Sequence, residues 1–332
     1  MASALSPALV LGATGHIGSA VVRELISRGA RVTAVSRKSE APKNLEGLSV
    51  NFVSGDVAQP GLIDELVRGH ALVVDAAVPY PVWMFRPTTL EEKDPYGVCQ
   101  KRTESILSAV GRAGASLALV GSFTTLPHPG DAKGDWEPQT LRRSHPYFVV
   151  KEIAENLTLA AARKGLNAVI VNPTAFLGPW DGKAPERAFL PALVRSPVHL
   201  TTSRIANFVD VRDVASVLVN AILRGRFGKK LPIVGHNIGL DELTERVTLR
   251  VGSRAPRFHA STRVGAAFSY WMEAAAAAVG RQAPFPALPA LLLRYGYPME
   301  VSEEQRELLR DLTPLDKSIA DALDWYKRIG YV

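Results

Sequence analysis

The chain has 332 residues, 47% of them hydrophobic and 21% charged, with a formal net charge of +7. That is enough apolar material for a large core in one domain or two lobes, and it argues against a disordered chain. The basic residues are scattered, and the densest clusters, Arg142-Arg143 and Lys229-Lys230, are too short for a nucleic-acid-binding stripe, so nucleic acid is not expected as a partner. Cys99 is the single cysteine; no internal disulfide can form, and a cytoplasmic, reducing location is expected. Residues 1–11 lack the features of a signal peptide. The apolar runs 274–278 and 288–293 are far shorter than the ~20 residues of a membrane span, so no stable membrane insertion is expected.

In chain order, residues 8–11 read as a short apolar strand entering a glycine-rich loop. Ile17, Val21, Leu25 and Ile26 then share a helical face that Gly29 ends. Strands follow at 31–36 and 48–53, a short helix at 62–68 and a buried strand at 71–77. Helical spacing returns over 103–111, a fifth strand spans 117–120, a long helix 147–164 and a sixth strand 168–171. This alternation predicts an α/β fold, a Rossmann doubly wound parallel sheet covered on both faces. After Pro173 the elements become shorter and richer in proline, glycine and aromatics. The expected plan is a nucleotide-binding lobe over 1–173 and a smaller, irregular substrate lobe over 174–332. Segments at about 207–234 return from it to complete the first lobe. Near the end, Ser302 with Gln305 reads as a capping box, Thr313-Pro314 as a helix start and Gly330 as a helix stop.

Gly12, Gly15 and Gly18 sit at the first strand-to-helix turn. Gly12 allows the tight turn, Gly15 lets backbone approach phosphate and Gly18 allows close helix–strand contact. The free amides of the helix start, from Thr14 through His16 and Ile17, face the pyrophosphate of a dinucleotide. His16 itself fills a variable position of the loop. The end of the second strand reads Ser36-Arg37-Lys38, without the Asp or Glu that binds both ribose hydroxyls in an NAD site. Arg37 can instead make charge-assisted bonds to a 2′-phosphate, so NADP(H) is expected over NAD(H).

Tyr147 and Lys151 stand one helical turn apart on one face. A free phenol titrates near ~10, and a neighbouring ammonium is expected to lower that value and ease proton transfer. Together with the glycine loop, this pair resembles the extended short-chain dehydrogenase/reductase family over nearly the whole chain. Gly55-Asp56-Val57 is similar to the family's adenine-contacting turn. Gly121-Ser122 is similar to the position of its catalytic Ser/Thr, and Tyr147 and Lys151 to its acid/base pair. Val171-Asn172-Pro173-Thr174 with Gly178-Pro179 resembles the segment beside the nicotinamide. Residues 208–215, and Ala322-Leu323-Asp324-Trp325-Tyr326 with Gly330-Tyr331, resemble the dihydroflavonol-reductase-like branch, which also takes in sugar epimerases. The resemblance implies Ser122, Tyr147 and Lys151 as catalytic residues, and cofactor contacts that include Ala76, Ala77 and Pro173. The chain departs from the family at Cys99, where the usual residue is an Asn thought to help hold a water in the proton relay; Cys99 is a poor donor and acceptor.

Tyr80, Trp83 and Phe85 follow the fourth strand, and Phe123, Phe176 and Trp180 lie in other segments expected to border the same crevice, as do Trp136 and Phe189. So many aromatics suit a large apolar or aromatic small molecule better than a sugar. Phe123-Thr124-Thr125 replaces the Asp-Glu pair of the family's dehydratases, which argues against dehydration. The expected activity is NADPH-dependent reduction of a ketone on an aromatic, polyketide, isoprenoid or steroid-like molecule, of the kind met in secondary metabolism. A sugar-nucleotide epimerase and a non-catalytic NADP-binding sensor are the alternatives. No metal is expected, and a homodimer is left open.

Overall fold

Strand β1 (Ala8–Leu11) leads into helix α1 (His16–Ser27), followed by β2 (Val32–Ser36), β3 (Asn51–Ser54), α2 (Leu62–Val67) and β4 (Leu72–Asp75). Helix α3 (Pro95–Ala113) precedes β5 (Ser116–Val120), and short helices α4 (Pro129–Ala132) and α5 (Trp136–Ser144) precede the long α6 (Pro146–Arg163). Next come β6 (Ala168–Pro173), β7 (Ala175–Leu177), α7 (Phe189–Arg195), β8 (His199–Thr201), β9 (Ile205–Asp210) and α8 (Val211–Leu223). Strands β10 (Lys230–Ile233) and β11 (His236–Gly239), helix α9 (Leu240–Val251) and strand β12 (Arg257–His259) lead to the last helices. These are α10 (Thr262–Ala278), α11 (Leu288–Tyr295), α12 (Glu303–Leu308) and α13 (Leu315–Arg328). The computed structural model describes residues 4–40, 42–59, 61–85, 93–183, 188–197, 199–253, 255–281, 283 and 286–332.

The main sheet has seven strands in the order β10-β6-β5-β4-β1-β2-β3, all parallel. Every residue of β1 and β4 is buried, because helices cover both faces; the apolar runs 8–11 and 72–74 suit that position, and Asp75 at the end of β4 is buried against Arg102. On one face α1 and α8 interlock through Val21, Leu25, Val214 and Leu218; on the other, Ile106 and Val110 of α3 pack on Leu9, Val73 and Leu117. The chain reverses its winding direction between β1 and β4, which opens a crevice at their carboxyl ends.

A second sheet, β11-β9-β7, and the pair β12-β8 build the smaller region, with Leu190, Phe208, Ile238, Leu243, Ile319 and Trp325 in its core. Of the returning segments, β10 joins the main sheet beside β6, whereas β9 stays in the small sheet and is followed by α8 against α1. Among the described residues no helix is long and apolar enough to cross a membrane.

Several boundaries differ from the sequence pattern. The helix expected from 103 starts at Pro95, because Asp94 accepts the Gly97 N–H at 3.0 Å and proline suits the first turn. Within the returning segments a helix starts at Val211, where Asp210 accepts the Arg212 N–H at 2.8 Å. Ser302 does accept the Gln305 N–H at 3.1 Å, but the Gln305 side chain does not complete a capping box. It pairs with both backbone groups of Val234 instead, at 2.9 and 2.7 Å. Thr313 likewise is not the cap of α13, since its hydroxyl and N–H both bond the Asp213 carboxylate, at 2.7 and 2.8 Å. Tertiary partners outcompeted local ones at both places.

Candidate active site

The glycine turn forms where β1 meets the crevice. Gly12 has φ +74° and lies so close to β4 that a Cβ there would stand 2.8 Å from the Ala76 carbonyl oxygen and 2.9 Å from the Ala77 Cβ. A Cβ on Gly18 would collide with the Gly12 carbonyl, so this glycine sets how closely α1 approaches the turn. Gly15 is the N-cap of α1, with no side-chain cap and no acidic residue in the first turn. The amides at the start of this twelve-residue helix are thus left for an anion, which fits the pyrophosphate of a dinucleotide.

Thr14 Oγ1 and Ser36 Oγ are 2.8 Å apart, tying the loop to the end of β2, and Ser36 Oγ also accepts the Lys38 N–H at 3.3 Å. Arg37 and Lys38 follow directly. Asp56 accepts the Ala58 N–H at 2.9 Å, stiffening the turn after β3, and Val57 is buried beside it. Ala76 and Ala77 close the end of β4, and Pro173 ends β6.

His16 is engaged elsewhere. Its Nε2 lies 3.1 and 3.0 Å from the carbonyl oxygens of Gly178 and Pro179, and its Nδ1 3.7 Å from Asp181. The C-terminal helix holds the same segment, through Trp325 Nε1 to the Asp181 carbonyl and the Tyr326 hydroxyl to its carboxylate, both at 2.9 Å. The Trp325-Tyr326 motif therefore braces the segment after β7 against the glycine turn.

Ser122 follows β5, and Tyr147 and Lys151 lie on the buried face of α6. The Tyr147 hydroxyl donates to Ser122 Oγ at 3.1 Å, and Ser122 Oγ also accepts from Thr124 Oγ1 at 2.9 Å and Thr124 N at 3.3 Å. Lys151 Nζ donates to the Val120 carbonyl at 3.2 Å and stands 6.0 Å from the centre of the Tyr147 ring. Here one expectation is corrected. Burial pushes the Tyr147 phenol above the ordinary tyrosine range, with Tyr80 and Glu155 adding and the Ser122 bond opposing. Lys151 does not reverse this: its Nζ stands 6.0 Å from the ring centre, and its own ammonium is pulled down by burial against the raising effect of Glu155 and Asp75. Tyr147 is held as a neutral phenol.

The sequence-predicted aromatics divide into two groups. Tyr80 stands edge-on to Tyr147 at 5.0 Å, and Phe123 packs against the cluster that contains Tyr147 and Tyr295. Trp83 is buried in the same segment as Tyr80, and Phe85 meets Tyr270 edge-on at 4.8 Å. The other group makes its ring contacts elsewhere. Phe176 packs on His16, and Trp180 lies against α1 with the Arg23 guanidinium 4.6 Å over its ring. Trp136 is exposed on α5, and Phe189 stacks on Phe208.

The family model for the NAD dependent epimerase/dehydratase family matches residues 8–235. The chain belongs to this family. It is 28% identical to a putative dihydroflavonol 4-reductase of Synechocystis sp., over 97% of this chain and 95% of that one. It is 26% identical to sterol demethylase protein B of Methylococcus capsulatus, over 98% and 99%. Among solved structures it resembles gox2253 with a TM-score of 0.76 and 25% identity, covering 98% and 99%. Family membership makes the chain an NAD(P)-dependent oxidoreductase, and in doubly wound sheets ligands bind at a crevice of the kind that opens between β1 and β4.

Residues that the sequence did not single out surround Ser122 and Lys151. Glu155, one turn beyond Lys151, is fully buried; its Oε1 accepts from Ser122 N at 3.0 Å and Asn172 Nδ2 at 2.9 Å. Its Oε2 takes Thr125 Oγ1 at 2.5 Å and Lys230 Nζ at 2.8 Å. A Cβ on Gly121 would collide with this carboxylate, which explains the glycine before Ser122. Asp75, at the end of β4, forms a buried two-pronged pair with Arg102 of α3 at 2.7 and 2.8 Å. The spacing Tyr147, Lys151, Glu155 was a readable signal for the first of these, and a carboxylate ending an apolar strand for the second. Cys99 is completely buried, and its thiol donates to the Val150 carbonyl at 3.4 Å.

Proposed function

We propose that the protein reduces a ketone carbonyl on a large apolar small molecule with NADPH. The observation that carries this is the buried Tyr147 hydroxyl, hydrogen-bonded at 3.1 Å to Ser122 Oγ at the carboxyl end of the sheet that also presents the uncapped start of α1; burial raises the pKa of this phenol. A reduced nicotinamide would supply the hydride. Tyr147 would give its proton to the carbonyl oxygen as negative charge develops there, and burial keeps that proton on the phenol until an alkoxide draws it. Ser122 Oγ would donate to the same oxygen, with Thr124 fixing its orientation. Lys151, a buried cation on the same face, would hold the ribose side of the cofactor and favour the transient phenolate.

The preference for NADPH rests on the end of β2. Ser36 offers no carboxylate, and the next side chains, Arg37 and Lys38, can take a 2′-phosphate. Backbone amides from His16 to Gly18, Asp56 with Val57, Ala76 with Ala77, and Pro173 would line the rest of the dinucleotide. The apolar substrate follows from Tyr80 and Phe123 beside Tyr147, with Trp83 and Phe85 in the adjoining segment. The names of two relatives, a sterol demethylase protein and a putative dihydroflavonol 4-reductase, support the same direction.

NADPH consumption against a panel of sterol-like, flavonoid and alkyl ketones tests the reading. Stoichiometric alcohol formation is expected with at least one class. Product formed without net cofactor change would favour epimerisation, and silence across the panel would favour a binding protein.

A further inference from the structure

The seventeen-residue helix α10 is built inside out. Val264, Phe268, Trp271 and Val279 recur at helical spacing along one stripe and are 62%, 55%, 70% and 71% exposed, with Ala275 between them. The buried face instead carries Glu273, 3% exposed, whose carboxylate accepts the backbone N–H groups of Met84, Phe85 (3.3 Å) and Ala287 (2.9 Å). These bonds fix the rotation of the helix, so the apolar stripe cannot turn inward without stranding a buried carboxylate.

The exposed charges carried by this stretch of the chain itself have one sign. Between residues 255 and 281 Glu273 is the only acid, and it is buried; Arg257, Arg263 and Arg281 are all exposed. Arg263 pairs with Glu137 at 3.5 Å and Arg257 stands 3.9 Å from Glu245, while Arg281 extends the positive charge at the far end of the helix. An apolar, aromatic helix face with cationic ends matches the boundary between headgroups and acyl chains of an anionic bilayer.

We propose that α10 binds an anionic lipid surface in its plane, with Phe268 and Trp271 inserted and the arginines at the lipid phosphates. Glu273 and the contact between Tyr270 and Phe85 join this helix to the segment that carries Tyr80 to Phe85. A water-insoluble substrate would thereby pass from lipid to the crevice without crossing water. This last step rests on the reductase reading; the lipid contact itself does not.

Co-sedimentation of the full chain with vesicles tests it. Vesicles of phosphatidylcholine mixed with phosphatidylglycerol should carry the protein down, and phosphatidylcholine alone should carry much less. The double variant Phe268→Ser, Trp271→Ser should weaken binding about tenfold or more, and Arg263→Glu with Arg281→Glu should remove the preference for the anionic lipid. Circular dichroism and thermal midpoint should be unchanged in both, because none of these side chains is buried. No binding by the wild type, or equal binding by the serine variant, overturns the proposal. So does a concentration-dependent dimer in light scattering that the serine variant abolishes, since the stripe would then be covered by a second copy. None of these readouts involves turnover, so a failure of the reductase reading would leave them intact.

Discussion

Lys230 of β10 and Glu155 of α6 form an ion pair at 2.8 Å directly behind the turn that holds Ser122. The carboxylate is fully buried and carries Ser122 N, Asn172 and Thr125 besides the lysine, so it joins β5, β6, β10 and α6 at the point where the serine must be placed. Removing the carboxylate would strand several donors at once. Glu155→Ala should lower stability by about 3 kcal/mol, read from the urea midpoint, whereas Lys230→Met should cost less because the lysine is partly exposed. Equal stability for Glu155→Ala would mean that the network does not hold the turn.

His145 caps α6, with Nδ1 accepting the Tyr147 N–H at 3.2 Å, and burial pulls its pKa from 6.5 to about 4. Above pH 6.5 the imidazole is neutral in both the folded and the unfolded chain, and its contribution is complete. Between 6.5 and about 4 the unfolded chain takes a proton that the native one refuses, so stability falls by up to about 3 kcal/mol. Below that, protonated Nδ1 can no longer accept, and a positive charge faces the positive end of the helix. Urea unfolding across this range should show the loss, and His145→Asn, which keeps an acceptor without titrating, should flatten part of it. A slope unchanged in that variant would place the acid sensitivity elsewhere.

Cys99 is fully buried, and burial pushes its thiol pKa up. A disulfide-exchange reagent should modify it only through opening of the fold, at a rate that rises with denaturant. Rapid modification of the native protein would contradict its packing against α6. Cys99→Ser should keep the Val150 contact and alter turnover little, because this thiol bonds the helix backbone and makes no contact with Ser122 or Tyr147.

Ser36, Arg37 and Lys38 are expected to set cofactor preference. Arg37→Ala should reduce kcat/KM with NADPH by about tenfold and leave the NADH value nearly unchanged. A parallel loss with both cofactors would show that Arg37 acts on folding or on the shared pyrophosphate.

The main sheet was legible because its central strands carry apolar runs, residues 8–11 and 72–74, that need no tertiary information. The glycine turn and the Ser122, Tyr147 and Lys151 group were legible from spacing and from the family resemblance. The environment of Tyr147 was not. Helical spacing puts Lys151 on its face, but the direction of the ammonium depends on the Val120 carbonyl, a residue of another strand. The immediate contacts of Trp180 were not legible either: Arg23 lies over its ring, and Ser19 and Asn44 bond its carbonyl. Gln305 and Thr313 failed as caps for the same reason, each having a stronger partner far away in the chain.

In the proposed reduction everything turns on Tyr147 as the source of the proton. Steady-state NADPH oxidation, followed together with alcohol formation for wild type and Tyr147→Phe, addresses this directly. The variant should fold with an unchanged thermal midpoint, bind NADPH as the wild type does, and lose about 10²- to 10⁴-fold in kcat. A folded Tyr147→Phe protein that turns over ketone at the wild-type rate would rule out the tyrosine as proton donor.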